Sequence, residues 1–184
     1  EINKKTVLTK VNWKEEDNKL VALEKIFDIF QNYMLEDGKA NKEKVAIVAA
    51  LLKSSPSWQG HFVRKLAPRG FTNSNKLLDD KGKRLFVEEH TLPASAVAKY
   101  LFEQAIEGTV KDNFDLIKKN YFQGPLLKTS DDKLAGIGVD GNPFTYKEST
   151  PSGWMLTDNI WARYFNANVN NMRGGIDPNA IILR

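Results

Sequence analysis

Glu88, Glu89 and His90 stand in a row in the stretch Lys83-Arg84-Leu85-Phe86-Val87-Glu88-Glu89-His90-Thr91-Leu92-Pro93. Histidine titrates near neutrality, so a histidine at the end of a strand is well placed to act as a general base. A neighbouring carboxylate can hold a divalent cation that polarises a phosphodiester. The chain has only two histidines, and no other segment gathers as many reactive groups. Lys83 and Arg84, just upstream, supply positive charge for a phosphate. Asp79 and Asp80 would join Glu88 and Glu89 around one metal if residues 77–80 and 84–89 pair as a hairpin.

The hydrophobic pattern predicts the elements that must hold these groups. Leu20, Leu23, Phe27, Phe30 and Met34 recur at spacings of three and four. They form one stripe of a helix that starts after Asn12 or Trp13, carries Glu15, Glu16 and Asp17 in its first turn, and ends near Gly38. Asn41 is the predicted cap of a second helix through Lys53. Residues 45–52 are apolar on every side, which predicts the central buried helix. Pro56 opens a third, with Trp58, Phe62 and Leu66 on one face; His61 within it reads as a packing or surface residue. Residues 84–88 read as a short strand. Pro93 begins a fourth helix that Gly108 ends, and Asp112 caps a fifth with Phe114, Ile117 and Tyr121 inward.

Beyond Gly124 the texture changes. Residues 125–128 are strand-like, residues 131–134 are a turn or cap, and Gly136-x-Gly138-x-x-Gly141 punctuates a hairpin. A dinucleotide loop would need a βαβ unit around those glycines, and none of sufficient length is visible. A last helix starts at Thr157 or Asp158 with Ile160, Trp161, Tyr164 and Phe165 inward, and a terminal strand follows Gly174-Gly175. The expected class is α+β, with a helix-dominated N-terminal two thirds and a mixed, loop-rich C-terminal third. Residues 1–184 are expected to form a single domain, with a candidate subdomain boundary near residue 124.

Glu89-His90-Thr91-Leu92-Pro93 resembles the acid-His-x-x-Pro motif of the HNH (His-Me finger, ββα-metal) nucleases. That resemblance implies Glu89 as a metal ligand and His90 as the base that activates water. Asn113-Phe114-Asp115-Leu116-Ile117 is loosely similar to the family's Asn-Leu-x-x-Leu segment. It implies Asn113 as the supporting residue and Asn120 or Asp115 as the last ligand; Glu88 is a further candidate ligand, and Mg²⁺ or Mn²⁺ the expected metal. The chain departs from the family: no histidine follows His90, and a helix begins directly at Pro93. A second resemblance, to uncharacterised prokaryotic and phage proteins, rests on Glu89 to Pro93, on Asp131 to Leu134 and on Trp161-Ala162-Arg163-Tyr164. It implies no activity. In the plain structural alternative, His90 caps the helix at Pro93 or bonds a backbone carbonyl, Asp132 caps a turn, Arg163 pairs with a carboxylate and Tyr164 packs.

The 184 residues include 27 Lys and Arg against 23 Asp and Glu, a net charge of +4. The excess is local. Seven basic residues and two acidic ones lie between His61 and Arg84. Arg64, Lys65, Arg69, Lys83 and Arg84 are the leading candidates for contacts to DNA or RNA phosphates, with Lys76 and Lys81 beside them and Trp58 or Phe71 for stacking. A solvated basic loop is the plain alternative. With no cysteine, the chain has no disulfide, thiolate site or thiol nucleophile. No apolar run approaches 18 residues and no leader or lipidation motif is visible, so a cytoplasmic protein is expected. Two expectations therefore lead: a divalent-metal-dependent nuclease centred on His90, or a non-catalytic nucleic-acid-binding or phage–host interaction domain. A small-molecule enzyme would instead need a pocket lined by exposed members of Tyr146, Trp154, Trp161 and Tyr164.

Overall fold

The computed structural model describes residues 9–10, 13–53, 62–69, 71–72, 78–137, 143–147 and 149–167. The start of the third predicted helix, Trp58, His61, Lys76, the side chain of Phe71 and the strand after Gly174-Gly175 lie outside the described residues.

A short strand β1 (Thr9–Lys10) pairs antiparallel with β4 (Phe71–Thr72). Between them, α1 (Trp13–Met34) is the spine of the molecule. Its predicted stripe is the buried one: Leu20, Leu23, Phe27 and Met34 are at most 1% exposed, and Phe30 sits edge-on against Phe27. A two-residue hairpin, β2 (Leu35–Glu36) and β3 (Lys39–Ala40), reverses the chain. Both of its turn residues, Asp37 and Gly38, have positive φ (50° and 73°), the conformation that matches the twist of a tight hairpin.

Asn41 then caps α2 (Lys42–Lys53), its Oδ1 accepting from the amides of Glu43 and Lys44 at 3.0 and 3.2 Å. The helix is where the sequence puts it, but not as buried as its composition predicts. Only Val48 and Leu52 are buried, while Ile47 and Leu51 are 49% and 45% exposed. The hairpin lays α2 back along one side of α1, and the face of α2 that carries Ile47 and Leu51 stays exposed. The centre belongs to α1, which also receives the next two helices.

Strand β5 (Phe86–His90) is followed by α3 (Ala94–Glu107) and α4 (Val110–Asn120). Pro93 immediately precedes α3, and Gly108 ends it in the left-handed conformation (φ 78°) as the sequence predicts. Val97, Leu101 and Ala105 from α3 meet Val110, Phe114 and Ile117 from α4 over α1, all with no exposed surface. The chain then returns as β6 (Gln123–Leu127), antiparallel to β5, from Phe86 opposite Leu127 to His90 opposite Gln123.

Where residues 77–80 and 84–89 could pair as a hairpin, the described residues show an antiparallel Leu78–Arg84 bridge and the Asp79 amide donating to the Lys83 carbonyl at 2.7 Å. The Asp79 carboxylate is taken up by its own turn, accepting from the amides of Lys81 and Lys83 at 2.9 and 2.8 Å.

After β6 come the short helix α5 (Lys128–Asp132) and the antiparallel pair β7 (Ala135–Ile137) and β8 (Pro143–Thr145), with Gly138 and Gly141 outside the described residues. The last described helix, α6 (Ala162–Asn166), is shorter than predicted. Asp158 and Asn159 close turns instead, accepting from the amides of Met155 and Trp161. A second apolar cluster forms here from Phe122, Leu126, Leu134, Tyr164 and Ala167, with Val87, Tyr146 and Trp161 packed against it. The class is α+β, and the helices lie mostly before residue 124. Among the described residues no helix is long and apolar enough to cross a membrane.

Candidate nucleic-acid interface

Side chains alternate along a strand, so β5 sends its two central carboxylates to opposite faces. Glu89 points with Val87 toward the second cluster and meets Arg163. Glu88 and His90 point the other way, toward the turn at residues 62–69.

On the first face, Arg163 is 2% exposed and acts as a hub. Its Nη1 donates to the Tyr146 carbonyl at 2.6 Å. Its Nη2 donates to Glu89 Oε1 at 2.5 Å, to the Tyr164 hydroxyl at 2.7 Å and to the His90 carbonyl. Asp131 stands close enough to act on Glu89 electrostatically, and its own carboxylate holds Lys147 Nζ at 2.8 Å. The three sequence pieces around Glu89, Asp131 and Arg163 therefore converge in space. Burial pushes the Glu89 carboxyl above its usual range against the pull of the guanidinium. Burial pulls on Arg163 in the other direction, but Tyr164 and Glu89 keep its guanidinium raised and charged. Glu89 is thus the carboxylate partner of a buried arginine.

On the second face, His90 Nε2 donates to the backbone carbonyl of Arg64 at 3.1 Å, which places the neutral ring's proton on Nε2. The ring stacks on Tyr121 with centroids 5.9 Å apart. Three further bonds fasten the same turn. Tyr121 Oη donates to the Val63 carbonyl at 2.7 Å, Gln123 Nε2 donates to the Arg64 carbonyl at 2.9 Å, and the Gln123 amide donates to the Pro68 carbonyl at 2.7 Å. Glu16 of α1 accepts from the Arg69 amide at 2.8 Å. Burial drives His90 down to about 4, helped by the positive charges of Arg64, Arg163 and Arg69 against the opposing carbonyl bond. At neutral pH the ring is an uncharged tether.

The expected metal set does not assemble. Glu88 faces Arg69 at 3.6 Å and Glu89 is held by Arg163. Asp115 lies on α4 with its side chain 90% exposed, 3.5 Å from Lys118. Asn113 bonds Gln104 Oε1 at 2.5 Å and the Thr109 carbonyl at 3.3 Å, at the α3–α4 junction. Tyr121, on which His90 stacks, follows the far end of α4, eight residues on and about 12 Å along the axis. Among the described residues no three His, Cys, Asp or Glu side chains stand where they could hold one metal.

The structure brings the basic residues together. The docked turn presents the exposed side chains of Arg64, Lys65 and Arg69 beside the C-terminal half of β5. Arg84, exposed like Lys83 and Lys81, belongs to the turn that leads into the N-terminal end of β5, with the bend at Leu85 between it and the strand. With the cations of the 62–69 turn toward one end of β5 and Arg84 before the other, they form a strip at most roughly 20 Å long, since six residues separate Arg84 from His90. Within it Glu88 faces Arg69 in a pair whose side chains are 27% and 52% exposed, the kind of surface contact that solvent and salt weaken, and Asp79 and Asp80 stand in the turn that carries Lys81 and Lys83.

The sequence pointed to His90, Glu89 and the basic residues, but not to Tyr121 and Gln123, which fix the turn. Gln123, the polar side chain in the apolar string from Tyr121 to Leu127, was the available signal, and the fold buries it to 6% exposure. No family of known proteins, no curated protein and no solved structure matches the chain.

Proposed function

We propose that this protein is a non-catalytic, cytoplasmic nucleic-acid-binding module that holds a DNA or RNA backbone along the strip from Arg64, Lys65 and Arg69 to Lys83 and Arg84. One observation carries the reading. His90, Tyr121 and Gln123 bind the 62–69 turn through its carbonyls, leaving the cationic side chains of that turn in solvent beside the strand. A backbone fixed from within lets its cations meet phosphates without ordering a loose loop first. A strip of roughly 20 Å spans several phosphates of one strand. The lack of cysteine suits a reducing compartment.

The geometry favours this over the metal-dependent nuclease, because the histidine and the carboxylate that reading needs are already engaged by Arg64 and Arg163. Fluorescence anisotropy with labelled single- and double-stranded oligonucleotides tests both. The expected result is binding that weakens with salt at a log–log slope of roughly −2 to −4, the signature of a few neutralised phosphates. The Lys83→Gln/Arg84→Gln variant should bind about tenfold more weakly with a shallower slope. Incubation of the same substrates with Mg²⁺ or Mn²⁺ should leave them intact. Metal-dependent cleavage that His90→Ala abolishes would restore the nuclease reading.

A further inference from the structure

We propose that the cleft between α3 and the 149–157 loop is a second binding site, one for a small organic ammonium ion carrying an aromatic or aliphatic body. The cleft encloses about 600 Å³, within the size range of small-molecule sites. Its lining shares no residue with the basic strip, and its chemistry is the opposite. Along α3, Tyr100 lines one wall with Glu103 and Glu107 beside it. Trp154 and Met155 form the facing wall.

The two walls ask for different halves of one ligand. Trp154 packs against the main core, and its Nε1 donates to the Asn159 carbonyl at 2.9 Å, so the indole is held in place rather than free to collapse. Met155 is 65% exposed at the mouth, apolar surface that a ligand would cover. Glu103 and Glu107 are one helical turn apart and so lie on the same side of α3. The cation lining the cleft, Lys99, is 3.8 Å from Glu103 with its side chain 78% exposed, a pair too solvated to neutralise the wall. Among the described residues Glu107 Oε2 has a single long contact, 3.4 Å from Gln104 Nε2. Burial, and then the charge of Glu107, raise the Tyr100 hydroxyl, so the phenol stays neutral and the carboxylate's field reaches the ring. Aromatic faces beside carboxylates are what an organic cation needs, and they repel an anion.

The test is a titration of the intact chain with three probes of similar shape: phenethylammonium, phenethyl alcohol and phenylacetate. Isothermal calorimetry and tryptophan fluorescence would be read in parallel. Saturable binding of the ammonium probe, about tenfold tighter than either other probe, is expected. Glu103→Gln/Glu107→Gln should weaken the ammonium probe about tenfold and leave the alcohol unchanged; both sites are on the exposed side of a helix, so the fold tolerates the change. Equal affinity for the three probes would overturn the proposal. So would the lack of saturation by the ammonium probe up to about 10 mM, or an ammonium affinity that the double variant leaves unaltered.

Discussion

Arg163→Met is expected to destabilise the protein by about 3–5 kcal/mol, because it leaves the buried Glu89 carboxylate without its counter-charge. Arg163 is almost wholly buried and Glu89 Oε1 lies 2.5 Å from its Nη2. The same nitrogen donates to the Tyr164 hydroxyl and the His90 carbonyl, so β5 and α6 loosen together. Removing both charges at once, as Glu89→Leu/Arg163→Met, should recover much of the loss, since a buried pair replaced by apolar side chains of similar volume is often tolerated. Urea unfolding of the parent and the two variants measures this. A loss below about 1 kcal/mol for Arg163→Met would mean the pair is solvated and the hub is not structural.

Acid should weaken the fold through His90. An unfolded histidine titrates near 6.5, whereas in the fold this ring is held down to about 4. The unfolded chain therefore takes up the proton first. His90's contribution is fully present above about pH 6.5 and is lost as pH falls from there toward 4. After allowing for the solvent that reaches a partly buried ring, the loss is of order 2–3 kcal/mol. Glu89, raised by burial, titrates in the opposite sense and offsets part of it. His90→Gln, which keeps a donor toward the Arg64 carbonyl, should flatten the decline between pH 6.5 and 4. Urea midpoints across that interval decide the point: parallel curves for the two proteins would show that the ring is solvated and not a tether.

Much of the fold could be read from the chain because local signals and tertiary packing agree. The three-and-four spacing of Leu20, Leu23, Phe27 and Met34 is the buried face of α1, and Pro93 and Gly108 bound α3. Where they diverge, the reason is partner choice. The all-apolar run of α2 predicts a central helix, but the Asp37-Gly38 turn places it on one flank of α1 and leaves Ile47 in solvent. β5 pairs with β6 across a gap of more than thirty residues, a contact that no local pattern encodes. The site follows the same rule. Glu89 and His90 could be picked out as reactive types, and the bland alternative for them, a carboxylate pairing with Arg163 and a histidine bonding a carbonyl, is what the structure shows. What the linear sequence does not show is that alternation along β5 turns these two neighbours away from each other, one to each side of the sheet.

The most direct test of the basic strip compares two charge reversals with equal change in net charge. Lys65→Glu/Arg84→Glu changes the strip, and Lys42→Glu/Lys99→Glu changes exposed lysines on α2 and α3. Both are assayed for oligonucleotide affinity across a salt series. The account predicts that the strip variant loses binding by at least about a hundredfold at low salt and that the second variant stays within a few-fold of the parent. Equal losses in the two variants would contradict it, showing that overall charge attracts the nucleic acid and that the docked turn beside β5 has no special part.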